Sequence, residues 1–212
     1  MASKTTETIG NQSGSTLAPA QMERVAIVVL NWNGWRDTRA CIASLQALVY
    51  CNFNILLVDN GSTDDSVAQF EQALPSIELV QTGANLGFGG GCNVGIQHAL
   101  DHGADYIWLI NSDATVDPGA LTAMVQMANE QPALGAVGSL LFDAERKAQL
   151  QLWGGGRVNL WLGRSVHRLE PGRLDFVSGA SVLLRRAALA QVGLFDAERF
   201  FMYWEDTDLG FR

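Results

Sequence analysis

Two regimes of apolar and polar positions divide this chain. From Val25 to about Ala128, short apolar runs rich in β-branched residues each give way to a polar turn and then to apolar residues at helical spacing. Val25 to Leu30 predicts a strand buried on both faces, ending at Asn31-Trp32-Asn33-Gly34. A helix is expected from about Asp37, with Cys41, Leu45 and Leu48 on one face. Phe53 to Val58 predicts a second strand, which runs into Asp59-Asn60-Gly61-Ser62-Thr63-Asp64. The next helix should reach about Leu74, with Val67, Phe70 and Leu74 inward. Ile77 to Gln81 is a third, shorter strand, followed by the segment Asn85 to Gly95 and a helix to about His102. Tyr106 to Ile110 is a fourth strand that stops at Asn111-Ser112-Asp113, with Leu121, Met124, Val125 and Ala128 marking the helix after it.

This βα alternation predicts an α/β fold, a Rossmann-like, mostly parallel central sheet with helices on both faces and right-handed crossovers. After Pro132 the pattern changes. Ala136 to Phe142 reads as one strand. Leu150 to Trp153 and Val158 to Trp161 flank Gly154-Gly155-Gly156 and read as a hairpin. Leu174 to Val177 and Ser181 to Leu184 flank Ser178-Gly179-Ala180 and read as a strand broken at the glycine. This smaller part is expected to be mixed or antiparallel. Neither an internal repeat nor a strong linker separates the halves, which predicts one domain of two subregions.

Three strand ends carry Asp or Asn beside turn residues, and one shared site at one edge of the sheet explains that recurrence better than packing does. A bare carboxylate at the end of a buried strand is costly unless a cation or a hydrogen-bond donor meets it. Asp113 is therefore a candidate for holding a metal ion against a phosphate-bearing substrate. Asp117, just before Pro118, reads as a helix start. Asp59 could accept from an N–H of a nucleobase, or form an Asx-turn to Gly61 or Ser62. Glu205-Asp206-Thr207-Asp208 follows the aromatic run Phe200 to Trp204. Aromatic neighbours exclude water and raise a carboxylate's pKa toward the range useful for proton abstraction, whereas acidic residues also suit a helix's first turn. In that arrangement Glu205 or Asp208 serves the helix while Asp206 faces the site.

The glycine-rich segment Gly87-Phe88-Gly89-Gly90-Gly91 fails the dinucleotide fingerprint. The third glycine would have to fall at Cys92 or Val94, and the segment follows the third strand, not the first. It reads as a loop that brings backbone close to a ligand before a helix N-terminus. A P-loop and a serine-hydrolase elbow are both missing from the sequence, and His98, His102 and His167 show no metal-ligand spacing.

Composition narrows the class further. A chain of 212 residues with 48% hydrophobic residues supports one full-sized core. The formal charge of −8 argues against a nucleic-acid surface but not against a small anion bound through a metal or helix end. Cys41, Cys51 and Cys92 lack Cys-x-x-Cys spacing, which points to a reducing compartment. No apolar run approaches the roughly eighteen residues of a membrane span. Residues 1–22 hold no signal-peptide core and read as a mobile tail. Phe200 to Arg212 opens an amphipathic helix that stops short, so the sequence is expected to be part of a longer chain.

Taken in order, Val25 to Gly34, Val58 to Asp64, Asn85-Leu86-Gly87-Phe88-Gly89, Asn111-Ser112-Asp113, Ser178-Gly179-Ala180 and Trp204 to Leu209 resemble a family 2 glycosyltransferase of the rhamnosyltransferase-like branch, with a GT-A fold. The resemblance covers about Val25 to Arg212. It implies a nucleotide-binding half over about 23–131 and an acceptor-side half over about 132–212. It also implies a nucleotide-diphosphate sugar donor, with dTDP-rhamnose, a UDP-hexose and a GDP-sugar as candidates, and a glycan or lipid-linked acceptor. A divalent cation, Mg2+ or Mn2+, and inversion at the anomeric carbon are implied as well. Asp59 matches the base-contacting aspartate, and Asn31, Asn33, Asn60, Asn85, Gly87, Asn111 and Ser112 line the nucleotide pocket. Asp113 matches the last aspartate of the Asp-x-Asp metal motif, with Asn111 where the first aspartate often stands. Asp206 matches the general base of the Glu-Asp motif, with Glu205 beside it. Gly179, Ala180 and Trp153 are expected on the acceptor side. The implied setting is bacterial polysaccharide synthesis in the cytoplasm, at the inner membrane face. The competing readings are a non-catalytic nucleotide-sugar binding module and a sugar nucleotidyltransferase. The latter would want a Gly-rich, Lys/Arg-bearing loop after the first strand, which Asn31 to Gly34 does not supply.

Overall fold

A computed structural model describes residues 22–146 and 149–212 of the chain. The tail expected over 1–22 lies, Met22 apart, outside them. The first half alternates as predicted: β1 (Val25–Asn31), α1 (Trp35–Leu45), β2 (Phe53–Asp59), α2 (Ser66–Ala73), β3 (Glu78–Gln81), α3 (Gly87–Asp101), β4 (Tyr106–Asn111) and α4 (Ala120–Glu130). The second half adds β5 (Ala136–Gly138), β6 (Leu140–Phe142), β7 (Leu150–Trp153), β8 (Gly155–Asn159), β9 (Arg164–His167), β10 (Phe176–Val177), β11 (Ser181–Arg185), α5 (Arg186–Val192) and α6 (Glu205–Phe211).

The central sheet has the order β3-β2-β1-β4-β11-β5. Its first four strands pair in parallel, while β11 runs antiparallel to β4 and β5 antiparallel to β11. Successive residues of a strand face opposite sides. Accordingly Ile27, Val29, Leu57 and Trp108 pack with Cys41, Ile42 and Leu45 of α1, Phe70 of α2, and Leu121 and Val125 of α4. The alternate residues Val28, Leu56, Val58, Ile107 and Leu109 pack with Cys92 and Ile96 of α3 and Leu189 of α5. Two-sided burial explains why β1 and β4 are almost wholly apolar and lie mid-sheet.

The glycine-rich segment corrects one expectation. It is the first turns of α3, not a loop before the helix. A Cβ at Gly91 would lie 2.5 Å from Leu30 Cδ1, and one at Gly95 would lie 2.4 Å from Val28 Cγ1. Missing side chains let the helix sit close on β1, and that packing offsets a helix-propensity penalty of ~1 kcal/mol per glycine.

Three expectations for the second half also change. Ala136 to Phe142 forms two strands in different sheets, β5 in the central sheet and β6 paired with β7. The stretches around Gly154-Gly155-Gly156 do not pair with each other. Gly154, at φ +70°, passes the chain from β7 to a second small sheet of order β10-β8-β9. The true hairpin is β8–β9, with Asn159 opposite Arg164. Around Ser178-Gly179-Ala180 the chain leaves β10 of that small sheet and enters β11 of the central one. Among the described residues no helix is long and apolar enough to cross a membrane.

Candidate active site

β1, β2 and β4 run parallel, with Asn31 level with Asp59 and Leu30 level with Asn111, so their polar ends share one edge of the sheet. Asn31 is 0% exposed, and both ends of its amide are used. Its Nδ2 donates to Asp59 Oδ1 at 2.9 Å and to Ser62 Oγ at 3.0 Å. Its Oδ1 accepts from the Thr38 hydroxyl at 2.9 Å and from the Gly34 N–H at 3.3 Å. Asp59 Oδ2 accepts from the Ser62 N–H at 3.0 Å, the Asx-turn weighed above, and the residue is 2% exposed. Asn33 is exposed, and its Oδ1 accepts from the Thr63 and Asp64 N–H groups at 2.8 and 3.3 Å. Asn31 and Asn33 therefore tie the turn after β1 to the turn after β2.

Asn60 extends this network to the start of α3. Its Nδ2 donates to Asn85 Oδ1 at 3.1 Å and to the Gly87 carbonyl at 3.0 Å, and its Oδ1 accepts from the Leu86 N–H at 3.1 Å. Gly87 has φ +74°, and a Cβ there would meet the Phe201 carbonyl oxygen at 2.1 Å. That carbonyl accepts from the Phe88 N–H at 2.9 Å. The β2 edge is thus clasped to the loop before α6. In that loop Tyr203 and Trp204 both hold left-handed φ, +67° and +72°, a strain of roughly 1–2 kcal/mol each that surrounding structure must overcome.

The strained loop delivers Glu205 and Asp206. Asp206 is half-buried, and its Oδ2 accepts from the Gly179 N–H at 2.9 Å. The next residue, Ala180, accepts from the Asn111 N–H at 2.9 Å. The path is closed: Asp59, Asn60, Asn85, Gly87, Phe201, Asp206, Gly179, Ala180, Asn111 and back through β1 to Asn31. Residues from six separate stretches rim the carboxyl edge of one sheet.

Ser112 and Asp113 follow Asn111 on this rim. Asp113 is exposed, and neither of its oxygens meets a donor among the described residues. Its proximity shows in Cys41, whose thiol is pushed up to about 12 by burial first and by the Asp113 charge second. No group of three or more His, Cys, Asp or Glu able to hold a metal occurs among the described residues. One unengaged carboxylate beside an amide and a hydroxyl nevertheless fits a hard divalent cation whose other ligands are diphosphate oxygens and water.

The acidic run divides as the helix requires. Asp208 pairs with Arg212 at 3.0 Å, one turn on. Glu205 is 6% exposed and its Oε2 has no hydrogen-bond partner among the described residues. Its pKa is raised chiefly by burial and further by Asp206, its own backbone N–H opposing. The aromatic run was expected to exclude water from the neighbouring carboxylate. Phe201, Met202, Tyr203 and Trp204 are instead exposed, and Glu205 is desolvated beside Phe195 where both flank Gly89 of α3. Asp117 accepts from the Gly119 N–H at 2.8 Å in a turn ahead of α4; a helix start at Pro118 was expected, but the N-cap is Gly119 and no side chain caps it.

Trp153 is half-buried on β7 opposite Leu140, outside the closed path, whereas Gly179 and Ala180 lie on it. A cavity of about 280 Å³ lies on the other side of Asp206, between β11, α5 and α6. Its walls are apolar, with Val182, Leu184, Phe195 and Leu209, and Asp206 is the one rim residue that reaches it. Thr38 carries a part of the network that the sequence did not single out. Thr38 left one signal, a hydroxyl at a core position of α1 beside Cys41 and Ile42.

Comparison with known proteins bears on the family and the fold. The model of the glycosyl transferase family 2 matches residues 26–193. An N-acetylglucosaminyl-diphospho-decaprenol L-rhamnosyltransferase of Mycobacterium tuberculosis is 36% identical, over 88% of this chain and 69% of that protein. S. aureus TarS 1–349 in complex with UDP superposes with a TM-score of 0.65 at 17% identity, covering 88% of this chain and 54% of that one. The mannosyltransferase PcManGT from Pyrobaculum calidifontis, in complex with GDP-Man and Mn2+, gives 0.62 at 18% identity, covering 90% and 52%. The chain thus spans about half the length of these solved structures.

Proposed function

Since the chain belongs to glycosyltransferase family 2 and has a GT-A fold, we propose that its sheet edge binds a nucleotide-diphosphate sugar and transfers the sugar, with inversion, to an acceptor hydroxyl. In this reading Asp206 is the general base. It takes the proton from the acceptor hydroxyl, whose oxygen attacks the anomeric carbon from the face opposite the leaving diphosphate. The observation that carries the assignment is the Gly179 N–H bond to Asp206 Oδ2 at 2.9 Å. It holds the carboxylate at the shared edge and leaves Oδ1, which accepts from the Thr207 hydroxyl at 3.2 Å, to receive a proton. Asp208 is neutralised by Arg212 and Glu205 is enclosed, so neither competes for that role.

Asp59, held by Asn31 and the Ser62 N–H, fixes the turn that faces the base. Asn60 shapes the turn, while Asn85, Asn111 and Ser112 present amide and hydroxyl groups toward the sugar nucleotide. Asp113 would hold a divalent cation, Mg2+ or Mn2+, which when bound offsets charge on the diphosphate. The likeness to the mycobacterial rhamnosyltransferase supports an L-rhamnosyl donor and a lipid-linked acceptor. The test is nucleoside diphosphate release from a panel of sugar nucleotides supplied with a polyprenyl-diphosphate sugar. Asp206→Asn should abolish release while donor affinity stays within about twofold, the signature of an interaction made only during transfer. Turnover at the parental rate in that variant would remove Asp206 from the role of base.

A further inference from the structure

The β8–β9 hairpin carries an exposed surface outside the closed path of rim residues. Its apex presents Leu160 at 75%, Trp161 at 98% and Leu162 at 66% exposure, and Val166 and Leu169 lie exposed behind them. The apex is held in shape, because Asn159 Oδ1 accepts from both the Trp161 and Leu162 N–H groups at 3.1 Å. β9 is an outer strand whose four residues are all exposed. A contiguous apolar tip on a pre-formed element marks an interaction surface.

Charge points to its partner. Between 155 and 175 the chain carries Arg157, Arg164, Arg168 and Arg173 against Glu170 and Asp175, whereas the whole chain carries −8. Arg157 is held by Asp175 at 2.7 Å, but Arg164, directly below the apex, has no ion-pair partner among the described residues. Trp and Leu at a tip with a collar of arginine is the order of groups across a lipid–water boundary, apolar rings at the acyl margin and guanidinium at the phosphates. A sugar platform would need a concave, polar-rimmed setting around the ring, and Trp161 stands free at the apex.

We propose that the β8–β9 hairpin is a membrane-docking element that inserts Leu160, Trp161 and Leu162 into the interfacial layer of an anionic phospholipid bilayer. The docking has a consequence for the rim. Gly155 and Gly156 of β8 pair with Val177 and Phe176 of β10, and the next residues, Ser178 to Ala180, carry the amide that holds Asp206. Four strand rises separate that pairing from Asn159, so the apex stands roughly 15 Å from it and sets the height of the rim above the lipid. The binding step itself is independent of the transfer reading and is measured without any sugar nucleotide.

The experiment is flotation of the whole chain with vesicles of phosphatidylcholine alone or with about one-third phosphatidylglycerol. The parent should float with the anionic vesicles, and the triple variant Leu160→Ser/Trp161→Ser/Leu162→Ser should lose about tenfold or more of that binding with its melting temperature unchanged. Arg164→Glu/Arg168→Glu should bind less and lose the preference for anionic lipid. A parent that floats with neither vesicle, or a triple variant that floats as well as the parent, overturns the proposal. So does a parent that light scattering sizes as a dimer while the triple variant is a monomer, because the tip would then belong to a second copy.

Discussion

Replacing Asn31 by Asp keeps shape and volume but exchanges the donating Nδ2 for a second carboxylate oxygen, so it tests the electrostatics of the rim. The Asn31 amide donates to Asp59 Oδ1 at 2.9 Å in a fully buried setting. In Asn31→Asp two carboxylates would face each other at that distance, where an effective dielectric of about 20 gives a repulsion of about 6 kcal/mol. The pair can escape by binding one proton. From an ordinary aspartic pKa near 3.9, holding that proton costs about 4 kcal/mol at pH 7, so protonation is the smaller loss and sets the size of the effect. The folded variant then retains a proton that the unfolded chain has released, and its stability falls as pH rises, by about 1.4 kcal/mol per unit. Urea unfolding of parent and variant should give a difference of about 4 kcal/mol at pH 7, shrinking to about 1.5 kcal/mol at pH 5. A loss below about 1 kcal/mol at pH 7, or one that ignores pH, would refute the claim that Asn31 meets the Asp59 carboxyl group across a dry contact.

Other perturbations address the remaining parts of the rim. Asp113→Ala should remove the divalent-cation dependence of nucleoside diphosphate binding, read by calorimetry with and without Mg2+, while leaving the unfolding midpoint unchanged. Gly87→Ala combines a left-handed φ with a 2.1 Å clash at the Phe201 carbonyl, and should cost about 2–3 kcal/mol from backbone strain plus one weakened hydrogen bond. Gly83→Ala is its control, with φ +76° and nothing within 4 Å, and should cost only the strain of about 1–2 kcal/mol. Equal losses at the two positions would mean that the clasp to Phe201 contributes nothing. For Glu205 the folded pKa lies above its ordinary 4.5, so the ionised form penalises the native state. Glu205→Gln should therefore match the parent at low pH and melt higher than it once pH rises through that raised value. A parent that outlasts the variant at pH 7 would show that Glu205 is needed as a charge.

What the sequence made legible follows from the kind of signal each part leaves. β1, β2 and β4 are buried on both faces over most of their length, so short apolar runs announced them and the parallel core with them. The rim was legible for the same reason. Asn31, Asp59 and Asn111 are polar residues placed where apolar runs stop, and parallel strands bring such ends together. The second half was harder because its strands are two to five residues long and sort into three sheets. Short runs such as Leu140–Phe142 carry no mark of the strand they will pair with. The glycines of α3 misled because a loop and a helix pressed onto a sheet both favour a missing side chain. The Gly179 N–H that holds Asp206 is a backbone group, invisible in any residue pattern. Exposure was illegible too. The aromatic run before Glu205 reads like a core segment, yet its strained backbone turns four of its five side chains toward solvent.

The measurement that bears most directly on the account is a crystal soaked with Mn2+ and a nucleoside diphosphate, read by anomalous scattering. The account predicts one manganese peak within about 2.5 Å of an Asp113 oxygen, bridged to the diphosphate, with the base toward Asp59 and the open side toward Asp206. Manganese away from Asp113, or a nucleotide seated in the apolar cavity between α5 and α6, would contradict it.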